Sequence, residues 1–341
     1  MSIAKDLGCI ILAAGDGTRL KSSMPKALHQ VCGKPIIVHV LSTLADLPLR
    51  KRVIVVGYQR EQIQAAFEDD PVMAFAVQEE RLGTGHAVMA AREQYQGFCG
   101  DVLVVSGDTP LIRAATIRKL VERHRHQDAA ATVLTADLPD PEGYGRILRN
   151  PDDTVLGIRE HKDANIYELK ITEVNTGTYV FDSMELFPSL DQITPDNKQH
   201  EYYLTDVIQV LVKEDKRVEG YLARDPTETM GVNSRIQLAE AERILRQRIR
   251  ERHMLAGVSL LDPASTFIDE SVEIGRDTII YPNTYLWGRT TIGGECRIGP
   301  QTQLCDCRVG DRAVVNAVQI VDVDVGEGEQ IGPMVVKKTE R

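Results

Sequence analysis

The sequence lacks paired cysteine motifs and any excess of positive charge. Its 341 residues include six cysteines, none of them in a CxxC pair. A disulfide scaffold is therefore not expected, and free thiols in a reducing compartment are the simpler interpretation. The net charge of −10, from 40 Lys and Arg against 50 Asp and Glu, argues against a general binder of nucleic acid or of membrane surfaces.

Long apolar runs are also missing, and none approaches the length of a membrane span. The apolar stretch at 7–14 follows Lys5 but is too short for a signal peptide, and it leads directly into a loop of Gly, Asp and Arg. We therefore expect a cytoplasmic protein that binds any polyanion through a local cationic pocket.

The first two thirds of the chain alternate β-branched apolar runs with amphipathic segments, a pattern typical of a mainly parallel sheet covered by helices. The predicted strands are 9–14, 52–57 and 101–106, and the predicted helices are 35–47, 85–95 and 114–127. Glycine-containing loops follow residues 14, 77 and 106. Folds of this kind bind ligands beyond the carboxyl ends of their strands, so we predict that the three loops converge there.

Beyond Gly257 a short apolar period replaces this pattern. Its residues recur every five or six positions: Ile274, Ile280, Leu286, Ile292, Ile298, Leu304, Val309, Val315, Ile320, Val325 and Ile331. Short apolar repeats with turn glycines predict a parallel β-helix, here of three to four coils. A charged amphipathic segment at 234–255 precedes it and predicts a long helix that connects two bodies.

The loop after the first strand reads LAAGDGTRLKSSMPKAL, residues 12–28, and is suited to an anion. Gly15 and Gly17 allow the backbone amides to approach an oxyanion. Arg19 supplies a bidentate phosphate ligand, and Lys26 supplies a point charge. A triphosphate is the natural ligand, although a tight turn with solvated cations remains the alternative.

Three later segments add polar groups to this site. In QEERLGTGHA, Gln78 offers an amide donor and acceptor for the edge of a base, and Thr84 lies between two glycines. Asp108 ends a strand beside the phosphate pocket, where a carboxylate favours Mg²⁺. Asn233 supplies a neutral oxygen ligand at the start of the long helix. A loop with a helix cap is the competing explanation for the first segment, and helix capping for Asn233.

Together these motifs resemble one family. Seven of them occur in order before the short repeats: LAAGDGTRLKSSMPKALH, LGTGHA, GDTPLI, GYGRI, EHKDA, NTGTYVF and GVNSR. They resemble the bacterial N-acetylglucosamine-1-phosphate uridylyltransferases, which are usually fused to a glucosamine-1-phosphate acetyltransferase. The resemblance covers nearly the entire chain.

The resemblance implies a role for each matching position. Nucleotide binding falls to Leu12, Ala13, Ala14, Gly15, Lys26, Gln78, Gly83 and Thr84, of which Gln78, Gly83 and Thr84 read the uracil. The sugar phosphate falls to Gly145, Glu160, Asn175 and Asn233, Mg²⁺ to Asp108 and Asn233, and catalysis to Arg19 and Lys26. Two alternatives without a binding role remain open: Gly145 permits a turn, and Glu160 is a solvated surface charge.

The implied fold is a Rossmann-like nucleotidyltransferase domain at 1–233, a linker helix at 234–256 and a short left-handed β-helix at 257–341. The implied reaction joins UTP and N-acetylglucosamine-1-phosphate to give UDP-N-acetylglucosamine and pyrophosphate. The attacking sugar phosphate is already an anion at neutral pH, so the reaction needs no general base. In-line positioning and charge neutralisation lower its barrier.

The sequence departs from the family pattern at its carboxyl end. The bifunctional enzymes continue the β-helix and carry a catalytic histidine there, whereas the last histidine here is His253. We therefore expect no acetyltransferase activity. A naturally short protein and a truncated sequence both remain open, with the polar VVKKTER ending slightly favouring the former. The family also implies a homotrimer, for which Tyr285 and Trp287 are candidate packing residues; contact with the catalytic domain is an equal alternative for both.

Two other functions remain open. The first is transfer to another sugar phosphate, such as glucose-1-phosphate or N-acetylgalactosamine-1-phosphate, or from another nucleotide. The second is a non-catalytic assembly or regulatory subunit, against which the presence of Lys26 and Asp108 argues.

Overall fold

The computed structural model describes residues 5–15, 17–57, 60–67 and 73–333, and these fall into two compact units. The first unit comprises Met1–His29 and Pro35–Gln237, and the second comprises Gln30–Lys34 and Leu238–Arg341. This division groups most of the long helix, and the segment 30–34, with the β-helix. The three predicted domains stay a prediction beside it, and the VVKKTER ending lies outside the described residues.

The strands described up to residue 222 are β1 (Asp6–Leu12), β2 (Gln30–Val31), β3 (Lys34–Pro35), β4 (Leu49–Val56), β5 (Met73–Val77), β6 (Gly100–Ser106), β7 (Ala131–Asp137), β8 (Arg146–Arg149), β9 (Val155–Arg159), β10 (Glu173–Asp182) and β11 (Val218–Leu222). The described α-helices are α1 (Ile36–Leu44), α2 (Arg60–Ala65), α3 (Thr84–Ala90), α4 (Ala114–His126), α5 (Ser183–Leu190), α6 (Leu204–Lys213) and α7 (Arg235–Leu255). Short 3₁₀ helices cover Thr18–Leu20, Lys26–Leu28, Arg92–Tyr95, Glu168–Lys170, Pro226–Thr229 and Pro263–Ser265.

The first unit is built on a mixed sheet of order β11-β7-β10-β6-β1-β4-β5, with the hairpin β8–β9 attached to β10. Along that order the strands pair in parallel except for β10, which is antiparallel to β6 and β7, and the pairs β8–β9 and β8–β10 are antiparallel as well. Leu12 pairs with Val55 on one side and with Ser106 on the other, so these strands end together. The predicted α/β fold is therefore confirmed.

Burial explains why these segments form strands and helices. In β1, Cys9, Ile10 and Ile11 are fully buried, as expected for a central parallel strand covered by helices on both faces. In α1 the buried residues lie at helical spacing, with Ile37, Val40 and Leu44 on one face. The predicted helix at 85–95 differs slightly, because α3 ends at Ala90 and a 3₁₀ turn follows.

The second unit contains short parallel strands that stack in three sheets, as predicted for a β-helix. Its strands are β12 (Ser259–Leu260), β13 (Thr266–Ile268), β14 (Glu273–Ile274), β15 (Ile279–Ile280), β16 (Thr284–Trp287), β17 (Thr291–Ile292), β18 (Arg297–Ile298), β19 (Thr302–Cys305), β20 (Arg308–Val309), β21 (Val314–Val315), β22 (Gln319–Val321), β23 (Asp324–Val325) and β24 (Gln330–Ile331). The three sheets have five, four and four strands, so the stack is slightly longer than the predicted three to four coils. The left-handed sense of the coil stays a prediction.

Most of the predicted apolar repeat points inward. Ile280, Leu286, Ile298 and Leu304 are fully buried, whereas three predicted positions are only half-buried: Ile274, Ile320 and Ile331. All three lie in the outermost strands of their stacks, β14, β22 and β24. Each outermost strand has a neighbour on one side only, so part of its surface remains exposed.

Helix α7 packs on the β-helix through an aromatic stack. The Arg246 guanidinium lies 4.3 Å from the ring centroid of Phe267, and that ring stacks on Tyr285 at 4.6 Å. Tyr285 meets Trp287 edge to face at 5.9 Å. The segment 30–34 contacts the same helix, because the Cys32 amide donates to Glu242 Oε2 at 2.6 Å. Within the second unit, α7 therefore serves as a packed element.

Two further sequence expectations concern cysteines and membranes. All six cysteines are free of disulfides, as predicted. In the described part of the chain no helix combines the length and the apolar character needed to cross a bilayer.

Candidate active site

The three predicted loops meet at the carboxyl ends of β1, β5 and β6, where they enclose a cavity of about 320 Å³. Its lining includes every residue predicted to bind the nucleotide: Leu12, Ala13, Ala14, Gly15, Lys26, Gln78, Gly83 and Thr84. Asp108 lies on the same wall. The structure therefore brings together residues that the sequence places in separate motifs.

Backbone hydrogen bonds hold these loops against one another. The Ala13 amide donates to Val55 O at 2.8 Å, and the Gly107 amide donates to Leu12 O at 2.9 Å. At Gly57 a Cβ atom would lie 2.8 Å from Ala14 O, closer than such contacts allow. The residue at this position must therefore be glycine for the loops to approach this closely.

Lys26 lies between the two residues predicted to bind metal. Its Nζ contacts Asp108 Oδ2 and lies 3.0 Å from Asn233 Oδ1. The side chains of Lys26 and Asp108 are only 16% and 14% exposed. Gly17, at φ +62°, allows this position, because a Cβ atom there would lie 2.8 Å from the Cβ of Lys26.

Asn233 is not needed as the helix cap. Ser234 precedes the first residue of α7, and its Oγ accepts from the Gln237 amide at 3.2 Å, which is the usual capping contact. The Val232 amide donates to Asp108 O at 2.8 Å, which holds this segment beside the loop after β6. The Asn233 side chain is therefore left to accept from Lys26, and it lines a cavity that adjoins the first one.

The donor set of Asp108 and Asn233 fits a divalent cation. Their oxygens converge on one ammonium group, so together they already surround a cation. One carboxylate and one amide oxygen, completed by substrate phosphates, suit Mg²⁺. Among the described residues no group of three or more His, Cys, Asp and Glu is arranged to hold a metal, so this two-residue set is the candidate.

The far end of the cavity is formed by Gln78 and the loop after it. Gln78 is 5% exposed, and its Nε2 donates to Gly83 O at 3.0 Å and lies 3.1 Å from His86 Nδ1. Gly83 adopts φ +106°, and a Cβ atom there would lie 2.5 Å from Tyr202 O. This position therefore requires glycine both for its backbone conformation and for its packing.

A segment before α6 supports that loop. The Tyr202 amide donates to Leu82 O at 2.6 Å, and the Gly85 amide donates to Tyr202 O at 2.7 Å. Thr84 Oγ1 accepts from the Leu204 amide at 3.1 Å, so this hydroxyl is also used at the start of α6. Glu201, from the same segment, lines the cavity and was not singled out from the sequence.

Arg19 lines an adjoining cavity of about 290 Å³ together with Gly15, Gly17, Lys26 and Asn233. Its side chain is exposed. Arg81 lines both this cavity and the first one, and sequence reasoning missed it. The available signal was its position three residues after Gln78, inside a motif that was already assigned to nucleotide binding.

The predicted sugar residues form a second group. The Asn175 amide donates to Gly145 O at 2.8 Å, and a Cβ atom on Gly145 would lie 3.5 Å from the Glu160 carboxyl carbon. Burial raises the pKa of Glu160, although a hydrogen bond from Thr205 at 3.0 Å partly opposes that shift. Glu160 lines a separate cavity of about 460 Å³ with Asp163 and Asp206, rather than the first cavity.

Comparisons with known proteins show the family to which the chain belongs. A family model described as a MobA-like NTP transferase domain matches residues 9–207. Three proteins named bifunctional protein GlmU are similar over 324 residues, 95% of this chain. They come from Geobacillus thermodenitrificans (48% identical, 70% of its length covered), Heliobacterium modesticaldum (46%, 70%) and Halalkalibacterium halodurans (45%, 71%).

The chain belongs to the GlmU family. The predicted family membership is confirmed, and so is the predicted enzyme class of nucleotidyltransferase. Within the GlmU family assignment, the roles of individual site residues stay predictions that rest on the geometry above.

Proposed function

We propose that the protein is a uridylyltransferase that forms UDP-N-acetylglucosamine and pyrophosphate from UTP and N-acetylglucosamine-1-phosphate. The observation that carries this proposal is the position of Lys26 between Asp108 and Asn233, in a cavity that also contains Gln78 and Gly83. A cation, a carboxylate and an amide oxygen at one end, with a base-sized polar edge at the other, suit a nucleoside triphosphate.

In the proposed reaction a phosphate oxygen of the sugar ester attacks the α-phosphorus of UTP. The new O–P bond forms as the bond from the α-phosphorus to the bridging oxygen breaks, and pyrophosphate leaves with that electron pair. The nucleophile is already ionised, so no residue needs to accept a proton. The protein contributes positioning and the neutralisation of negative charge.

Lys26 is assigned to the transferring phosphate and Arg19 to the pyrophosphate. The 16% exposure of the Lys26 side chain makes its charge more effective than it would be in bulk water. Arg19 lines the adjoining cavity, where a planar guanidinium suits two phosphate oxygens. Gly145, Glu160 and Asn175 are assigned to the sugar, whose hydroxyl and acetamido groups match their amides and carboxylate.

Asp108 and Asn233 would hold Mg²⁺, because their oxygens already converge on a single cationic group. When bound, the ion supplies neutralisation of phosphate charge. The role of the protein is to hold both oxygens in place, through the bond from the Val232 amide to Asp108 O and through the helix cap that begins at Ser234.

Three further statements belong to this proposal. The protein works in the cytoplasm, where UTP is available. Residues 254–341 contain no histidine, so this part of the chain does not catalyse acetyl transfer. The protein forms a homotrimer through the β-helix, with support from the 39% exposure of Trp287 and the 57% exposure of Val321. Sedimentation that detects only monomer would contradict the homotrimer. Acetyl transfer to glucosamine-1-phosphate by this chain would contradict the statement about residues 254–341.

The experiment that tests the proposal measures Mg²⁺-dependent pyrophosphate release. UTP is combined with N-acetylglucosamine-1-phosphate, glucose-1-phosphate or N-acetylgalactosamine-1-phosphate, and the other nucleoside triphosphates are tested in parallel. We expect a clear preference for UTP and the N-acetylglucosamine ester. A preference for another pair would change the substrate, and no release with any pair would favour a non-catalytic subunit.

A further inference from the structure

We propose that His86 fixes the orientation of the Gln78 side-chain amide, and that the fixed amide selects a base that donates a hydrogen from its ring nitrogen N3, uracil rather than cytosine. His86 is thus a positioning residue for nucleotide choice. This inference rests on the proposed use of UTP and deepens it.

The orientation of the Gln78 amide follows from its first partner. Gly83 O, at 3.0 Å, is a carbonyl and can only accept, so the group facing it must be the NH₂ of Gln78. The main-chain N–H of Gln78 donates to Val56 O at 2.8 Å, which anchors the residue at the end of the sheet. Since the side chain is almost completely buried, it has little freedom to turn.

The tautomer of His86 then follows from the second partner. His86 Nδ1 lies 3.1 Å from the same Nε2 of Gln78. An amide nitrogen does not accept hydrogen bonds, so Nδ1 must accept, and the neutral ring carries its proton on Nε2. Both hydrogens of the Gln78 NH₂ are thereby engaged.

This arrangement leaves Gln78 with its Oε1 as the group that it presents to a base. Uracil carries a hydrogen on N3 and donates to such an acceptor, whereas cytosine carries a lone pair at N3. With cytosine two acceptors would face each other in a nearly buried place, which is unfavourable. A site built to receive the hydrogen on N3 therefore rejects cytosine, which carries no hydrogen at N3.

The test compares three variants of His86. His86→Asn keeps an acceptor, because its Oδ1 takes roughly the place of Nδ1, whereas His86→Leu removes the acceptor and His86→Gln moves it. The measured quantity is kcat/KM for UTP divided by kcat/KM for CTP. We expect this ratio to fall about tenfold or more in His86→Leu and His86→Gln, and to stay within about twofold in His86→Asn. Thermal unfolding of each variant shows whether it is folded.

Two measurements on the unaltered protein keep the inference testable if a variant fails to fold. Nitrogen-15 NMR of the histidine rings should show His86 with its proton on Nε2. UTP methylated at N3, which lacks the hydrogen, should be rejected about as strongly as CTP. A proton on Nδ1, or equal use of the methylated nucleotide, would overturn the inference, as would an unchanged ratio in His86→Leu.

Failure of the inference can be told apart from failure of the proposed function. If the unaltered protein prefers UTP but His86→Leu keeps that preference, only the role of His86 is lost. If it releases no pyrophosphate from UTP and N-acetylglucosamine-1-phosphate, the proposed function fails. The dissociation constants of UTP and CTP, measured by calorimetry, then test the inference without turnover.

Discussion

The two units of this protein use their residues in opposite ways. In the β-helix each inward residue repeats the one in the coil before it, as Leu304 repeats Leu286 in the paired strands β16 and β19. At the sheet edge of the first unit each loop has a different sequence and supplies a different group. Lys26 and Asn233, which are 207 residues apart in sequence, form a hydrogen bond there. Repetition yields stability from near neighbours, whereas the site depends on distant loops that each supply a different group.

Because of this difference, a single substitution should have different consequences in the two regions. Removing a charge from the site should affect the chemical step and leave the fold. Removing apolar volume from the β-helix should affect stability and leave the chemical step.

The largest expected effect is that of Lys26→Ala. Loss of the ammonium leaves the transferring phosphate without its cation, so kcat for pyrophosphate release should fall about 10³-fold. The melting temperature should change little. Lys216→Ala is the matched control, because Lys216 pairs with Glu185 on the surface of the same unit. Equal activity of Lys26→Ala and the control would remove Lys26 from catalysis.

The next effect is on the β-helix. Leu304 is fully buried, so Leu304→Ala should lower the free energy of unfolding by about 3 kcal/mol in urea titration. Its neighbour Gln303 points to the other face of β19, and Gln303→Ala should change that energy by less than about 0.5 kcal/mol. Both variants should keep kcat at 25 °C, since Lys26, Asp108 and Asn233 belong to the first unit. A large loss of kcat in Leu304→Ala would contradict the separation of roles.

The smallest effect concerns Asp206, which lines the cavity of about 460 Å³ in the first unit. Burial, with a contribution from Asp163, raises the pKa of Asp206 from 3.8 to about 6. The folded protein therefore holds this proton more tightly than the unfolded chain does. The stability associated with the protonated form is complete below pH 3.8 and is lost as the pH rises through about 6.

Asp206→Asn should therefore stabilise the protein above that range. The gain in free energy of unfolding at pH 8 should be about 1 kcal/mol, because solvent screens a half-buried carboxylate. At a pH just below 3.8 the variant and the unaltered protein should unfold at the same temperature. Asp215→Asn, at an exposed position, is the control and should show no such difference. A gain that is equal at both pH values would rule out titration of Asp206 as its cause.

Sequence reasoning succeeded where the pattern is local. Loops after residues 14, 77 and 106 were predicted to converge, and they line one cavity, because parallel strands that end in register must deliver their loops to the same edge. The β-helix was likewise predicted from its period, since each repeat packs on the next one.

It was less complete where side chains meet only in three dimensions. Arg81 and His86 both lie in the segment QEERLGTGHA. Their surroundings, a cavity beside Arg81 and the Gln78 side chain beside His86, are formed only when the chain folds. Glu160 was assigned to the sugar together with Gly145, and a Cβ atom on Gly145 would lie 3.5 Å from its carboxyl carbon. Glu160 nevertheless lines the separate cavity of about 460 Å³, where its carboxylate accepts from Thr205.

The order of residue types was enough to predict the alternation of strands and helices, the repeating coils and the glycines at the strand ends. These features depend on the burial of neighbouring residues and on backbone freedom, both of which the order of residue types records. The bridge from Lys26 to Asp108 and Asn233, and the bond from the Gln78 side-chain NH₂ to Gly83 O, follow only from the folded chain. Hydrogen-bond direction depends on partners far apart in the chain, and no local pattern records it.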